Sequence, residues 1–200
     1  MSDIKIIRQF IREYLVEVCG GNLEDVEDVI STANLAHLHD TRKSTGAPAI
    51  THPEAVAKIV KSFYGERDDL CLAAYLHDSL EDAEKLGNVS QAELINLIRG
   101  SIQDPAQSEK ILSIIQDMTH DKEKQSYDEY FTSLVNKPDT LIVKLSDMLH
   151  NLRDNPLPHQ ALKYKKAIDS LDREELSYVS KQHWAALDRA LKTALSIDVA

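Results

Sequence analysis

Apolar residues along this chain return every three or four positions, and no stretch alternates with period two for long enough to demand a sheet. Ile4, Ile7, Phe10, Ile11, Tyr14, Leu15 and Val18 form one helical stripe, closed by Gly20-Gly21. A second helix is predicted from about Asn22 through Ile30, Ala33 and Ala36 to the region of His39. Gly46 and Pro48 mark RKSTGAPAI as a loop. His52-Pro53 opens the next helix, with the proline at a first-turn position where its missing N–H costs little. Asp68-Asp69 start a helix predicted to run unbroken through LCLAAYLHDSLEDAEKL to Gly87. Ser90 caps another, with Glu93 completing a capping box. Further helices are expected at about 106–118, 125–136, 139–152, 159–170 and 173–196. TLIVKL is ambiguous alone, but its continuation SDMLHNL favours helix. Six glycines and six prolines in 200 residues interrupt little, so the expectation is one all-α domain over residues 1–200.

The formal charge of −10 argues against nucleic acid as the main partner, because phosphate-backbone binding needs a concentrated basic surface. A small anionic substrate remains open, since it needs only local cations or a metal. Cys19 and Cys71 are too few for a disulfide framework, and no segment is apolar for long enough to span a membrane or resembles a secretion leader. The expectation is a cytoplasmic protein.

Metal-capable residues concentrate at His37 to Asp40, His52, His77 to Asp82, and Asp147 to His150. In LHDSLED, helical spacing puts Asp78, Glu81 and Asp82 on one face, within a stretch whose neighbours are apolar. Like charges so placed destabilise a helix unless a cation compensates them, and a divalent metal would. Asp147 and Asn151 share a face of a second apolar helix. Imidazoles mixed with carboxylates suit manganese, iron or zinc with open water positions better than a closed structural zinc site. Such a metal acidifies water into a nucleophile, and Glu81 and Asp82 could orient that water and move its proton. Lys122, and Tyr164 with its neighbouring lysines, are weaker candidates for meeting substrate phosphates; a solvated helix face is the simpler reading of the lysines.

Taken together, AHLHDTRKSTGAPAITHPEAVAKIV, AAYLHDSLED and LIVKLSDMLHNLRD resemble the hydrolase domain of RelA/SpoT homologues, especially the small alarmone hydrolases, within the HD superfamily. The resemblance implies an all-helical fold and a manganese ion held by His52, His77, Asp78 and Asp147. It implies that Glu81 and Asp82 handle the attacking water, that Arg42 and Lys43 contact a guanine nucleotide, and that Asn151 contacts its sugar. The implied reaction removes pyrophosphate from the 3′ position of guanosine tetra- or pentaphosphate. A nucleotide phosphatase of another specificity, such as an NADPH 2′-phosphatase or a 5′-nucleotidase, and a non-catalytic nucleotide sensor are the alternatives. The chain departs from the family pattern at His39-Asp40, Ala49, Met148 and Asp154, none of them an implied metal ligand.

Overall fold

The computed structural model describes residues 29, 32–34, 36, 37, 40–42, 45–65, 67–86 and 89–196. The first expected helix lies outside these residues, and of the second the described part is helical at 29, 32–34 and 36. The elements that follow are α1 (Thr51–Tyr64), α2 (Asp68–Leu76), α3 (Ser79–Leu86), α4 (Gln91–Ser101), α5 (Pro105–Met118), α6 (Tyr127–Leu134), α7 (Pro138–Arg153), α8 (Pro158–Asp169) and α9 (Lys181–Ser196). No strand occurs among the described residues, and the fold is all-α. The TLIVKL run is helical, inside α7.

The starts and stops have local causes. Capping boxes at Ser90/Glu93 and Ser126/Glu129 open α4 and α6, and Asp104 caps α5 ahead of a proline at its first position. α1 stops at Gly65, whose φ of +61° the missing Cβ permits. Two expectations are corrected. The helix expected from Asp68 to Gly87 breaks at His77-Asp78, which form a turn between α2 and α3. The helix expected at 173–196 begins only at Lys181. Asp172 accepts the backbone N–H of Glu174 at 2.9 Å, holding the preceding segment in turns, and Ser180 then caps α9 by accepting from the His183 N–H at 3.1 Å.

α2 is buried from Leu70 to Leu76 on every side, as a helix at the centre of a domain must be. It packs on α1, α5 and α7, and α7 in turn packs on α1, α5 and α9. Arg67 and Lys110 both pair with Asp69 and Asp139, joining the starts of α2 and α7 to α5. The segment before α1 folds back as a narrow loop. Arg42 donates its backbone N–H to Ala47 at 2.7 Å and Ala49 donates to Asp40 at 3.0 Å, around Gly46 at φ +73°. No described helix is long and apolar enough to cross a membrane.

Candidate metal centre and its cavity

α1, the turn after α2, and α7 converge on four side chains. His52 sits in the first turn of α1, His77 and Asp78 in the turn, and Asp147 midway along α7. His52 Nε2 lies 3.0 Å from Asp147 Oδ1 and 3.5 Å from Asp78 Oδ2. His77 Nε2 lies 3.2 Å from Asp78 Oδ1 and 3.9 Å from Asp147 Oδ1. A ligand atom each from His52, His77 and Asp78 falls within 4.8 Å of the others, so one ion could touch all three. His77 Nε2 is fully buried and has no aligned hydrogen-bond partner, an arrangement a cation resolves. The donor set fits a divalent transition metal.

Neighbouring groups hold these four in place. His77 Nδ1 meets the Ala74 carbonyl at 2.7 Å, which makes it the donor and turns Nε2 toward the carboxylates. His52 Nδ1 is 2.7 Å from His150 Nδ1, so one ring donates and the other accepts. Asp147 accepts from Lys144 Nζ at 2.8 Å on one oxygen and from Asn151 Nδ2 at 2.5 Å on the other. Burial pushes both Asp78 and Asp147 upward, but His77 and His52 at Asp78, and Lys144 and the histidines at Asp147, win and hold them below the usual carboxylate range. Burial and the charge of His52 pull His150 down to about 4.

A cavity of about 540 Å³ opens above His52 and Asp78. Arg42, Asp82, Asn151 and Asp154 line it, with Ala49 and the exposed Leu157. The three carboxylates of LHDSLED do not share one partner. Asp78 joins the histidines, Asp82 Oδ2 lies 3.0 Å from His37 Nδ1, and Glu81 accepts from Lys122 at 3.0 Å. Asp78 and Asp82 keep the helical spacing, the Asp82 backbone N–H donating to the Asp78 carbonyl at 2.9 Å, yet their side chains take different partners. Tyr164 is buried, its hydroxyl accepting from Gln160 Nε2 at 3.1 Å, and Lys163 stands 4.2 Å above the Tyr127 ring. Neither Lys122 nor Tyr164 lines the cavity, although Gln160 does. Lys43 lies outside the described residues.

The sequence places His37 and His150 only within metal-capable clusters and Asp154 only among the departures from the family pattern, and it gives Lys144 no role. Lys144 and His150 carry a legible signal, three residues before and after Asp147 on one helix. Asp154 and His37 carry none, because they act on residues brought close only by the fold.

A family model described as HD domain matches residues 30–171. A bifunctional (p)ppGpp synthase/hydrolase SpoT from Escherichia coli is 28% identical over 154 residues, 74% of this chain and 20% of that protein. A probable guanosine-3′,5′-bis(diphosphate) 3′-pyrophosphohydrolase from Synechocystis is 28% identical over 121 residues, 58% of this chain and 15% of that protein. A probable GTP pyrophosphokinase from Mycobacterium leprae is 28% identical over 156 residues, 76% of this chain and 18% of that protein. The chain thus spans a fifth or less of each relative's length.

Proposed function

The chain belongs to the HD domain family, and from that premise we propose that it is a metal-dependent hydrolase of guanosine tetra- and pentaphosphate, releasing pyrophosphate from the 3′ position. The observation that carries this reading is the meeting of His52, His77, Asp78 and Asp147 beside a nucleotide-sized cavity that His52 and Asp78 line. Relatives named for making and for hydrolysing this nucleotide are both similar to the chain, and metal-site chemistry favours hydrolysis.

These four residues would hold the ion, with manganese as the active metal; it would supply an acidified water. Their own groups set the rest. His52 donates its Nδ1–H to His150, which leaves the Nε2 lone pair for the floor of the cavity. Lys144 and Asn151 fix both oxygens of Asp147, so its orientation does not depend on substrate. Asp82 stands in the cavity, where its carboxylate accepts a proton from the attacking water and returns it to the leaving oxygen, with Glu81 beside it on the same helical turn helping to orient that water. Arg42, Lys43 and Asn151 receive the nucleoside, while Lys122, paired with Glu81, and the buried Tyr164 stand away from the cavity lining and carry no role in this reading.

The test is a metal-supplemented hydrolysis panel of guanosine tetraphosphate, NADPH and nucleoside monophosphates, with products identified. Pyrophosphate and GDP from the first, well above turnover of the others, is the expected result. Turnover confined to NADPH or to a monophosphate would replace the substrate while leaving the metal chemistry in place.

A further inference from the structure

Of the two histidines that line the cavity, His52 belongs to the metal-capable cluster and His37 does not. The His37 backbone is fixed on both sides. Its N–H donates to the Ala33 carbonyl at 3.1 Å, where the preceding helical segment ends, and its own carbonyl accepts from the Asp40 N–H at 3.2 Å, where the Arg42 loop begins. The side chain is only 1% exposed, and neither ring nitrogen has an aligned hydrogen-bond partner. A buried imidazole left in this condition costs stability, and a group that keeps such a cost at the edge of a cavity is a candidate for use there.

A metal ion does not supply the missing partner: among the described residues, the side chains close enough to share one are His52, His77 and Asp78. Asp82 Oδ2 is within reach, 3.0 Å from His37 Nδ1 but out of line with a ring N–H. Asp82 lines the same cavity, and its side chain is 18% exposed. A turn of the ring or of the carboxylate brings the N–H and the oxygen into line. Hydrogen bonds of catalytic groups are often misaligned without substrate and tighten when it binds.

We propose that His37 is the positioning residue of Asp82: with nucleotide bound, its Nδ1–H donates to Asp82 Oδ2 and holds the carboxylate in the orientation in which it takes the proton of the attacking water. The proton on Nδ1 stays there throughout, so the neutral tautomer suffices. Donation to a carboxylate in a site so little exposed is the strong, charge-assisted kind of hydrogen bond. This rests on the reading of Asp82 as the base of a nucleotide phosphohydrolase. His37 acts through Asp82 and touches neither the substrate nor the ion.

The test is a double-mutant cycle on the metal-loaded full chain, with guanosine tetraphosphate or whichever nucleotide of the panel the parent cleaves. His37→Leu should lower kcat about ten-fold, less than the roughly 100-fold expected for Asp82 itself, and leave KM and metal content at the parental level. His37→Asn, whose side-chain N–H can stand where Nδ1 stands, should recover most of that loss. In an Asp82→Ala background His37→Leu should cost little more, because no carboxylate is left to orient. Losses that multiply in the double variant, His37→Asn as impaired as His37→Leu, or loss of bound metal in His37→Leu, overturn the assignment. A second readout needs no turnover: two-bond 1H–15N spectra of the histidine-labelled chain, loaded with diamagnetic zinc and saturated with GDP, in which the signals absent from His37→Asn identify His37. They should show the Nδ1–H tautomer, and they should move in Asp82→Ala. An Nε2–H tautomer, or signals indifferent to Asp82→Ala, overturns the proposal even where His37→Leu does not fold. The stated spectra with no nucleotide cleaved by the parent leave the His37–Asp82 pair standing and remove the proposed reaction.

Discussion

His150 does not line the cavity beside the metal-capable cluster, yet its ring nitrogen is what His52 Nδ1 meets at 2.7 Å. Because burial and His52 hold its pKa near 4, His150 is neutral at pH 7 and can accept the His52 proton, which fixes the tautomer that leaves Nε2 for a metal. Replacing it with phenylalanine keeps the ring and removes the acceptor, and metal affinity should fall about 10- to 100-fold, the usual effect of losing such a supporting group. A chelator-competition titration measures this; affinity equal to the parent's would show that His52 needs no such support. Glu81→Gln and Asp82→Asn should behave in the opposite way, retaining the metal and losing about 100-fold in kcat. A variant with parental kcat at saturating metal removes that residue from proton handling. The difference in legibility between these groups is physical. A histidine or aspartate in an apolar helix stands out because its burial costs energy unless something compensates, so His77, Asp78 and Asp147 were visible in the sequence. His37, facing Asp82, looks like any helix histidine until the loop folds back.

At the level of elements, periodicity found most of the helices, because α4 to α8 carry their start signals as first-turn prolines or capping serines in the sequence. It missed the interruption at His77-Asp78, because His77 keeps helical angles, φ −58° and ψ −34°, and only the hydrogen-bond ladder lapses. α9 reaches α1 through His183. It stacks on Phe63 with ring centroids 4.8 Å apart, and Tyr64 Oη lies 2.9 Å from its Nδ1. Burial pulls His183 down to about 4. The unfolded chain takes up this proton near pH 6.5 and the folded one only near 4, so the contact destabilises the fold as pH falls through that window and is silent above it. At pH 5 the loss is about 2 kcal/mol. Urea midpoints at pH 7 and pH 5 should therefore drop less in His183→Gln than in the parent, even though the variant starts lower; equal drops would mean that His183 does not titrate on unfolding.

For the molecule as a whole, the four residues of the candidate metal centre tie together the elements that form its middle. His52 comes from α1, His77 and Asp78 from the end of α2, and Asp147 from α7, and these three helices pack on one another around the core. No pair of them is joined by a disulfide among the described residues, so an ion held by all three would be a cross-link present only in the folded state. An ion that binds the native chain and not the unfolded one stabilises it by about 2.7 kcal/mol when its concentration is about 100 times its dissociation constant. For a chain of this length that corresponds to a rise in Tm of about 5–10 °C. The measurement is a thermal melt of the chelator-treated chain with and without added manganese, made on the parent and on His77→Ala. The comparison is between the two melts of each protein, so any cost of opening a gap at the fully buried His77 cancels. The parent should gain the full shift and His77→Ala little or none of it, with Asp147→Asn behaving like His77→Ala. A shift of the same size in all three would place the stabilising ion elsewhere on this acidic surface. No shift in the parent at saturating metal would mean that the four side chains, close as they are, do not hold an ion that the fold can feel.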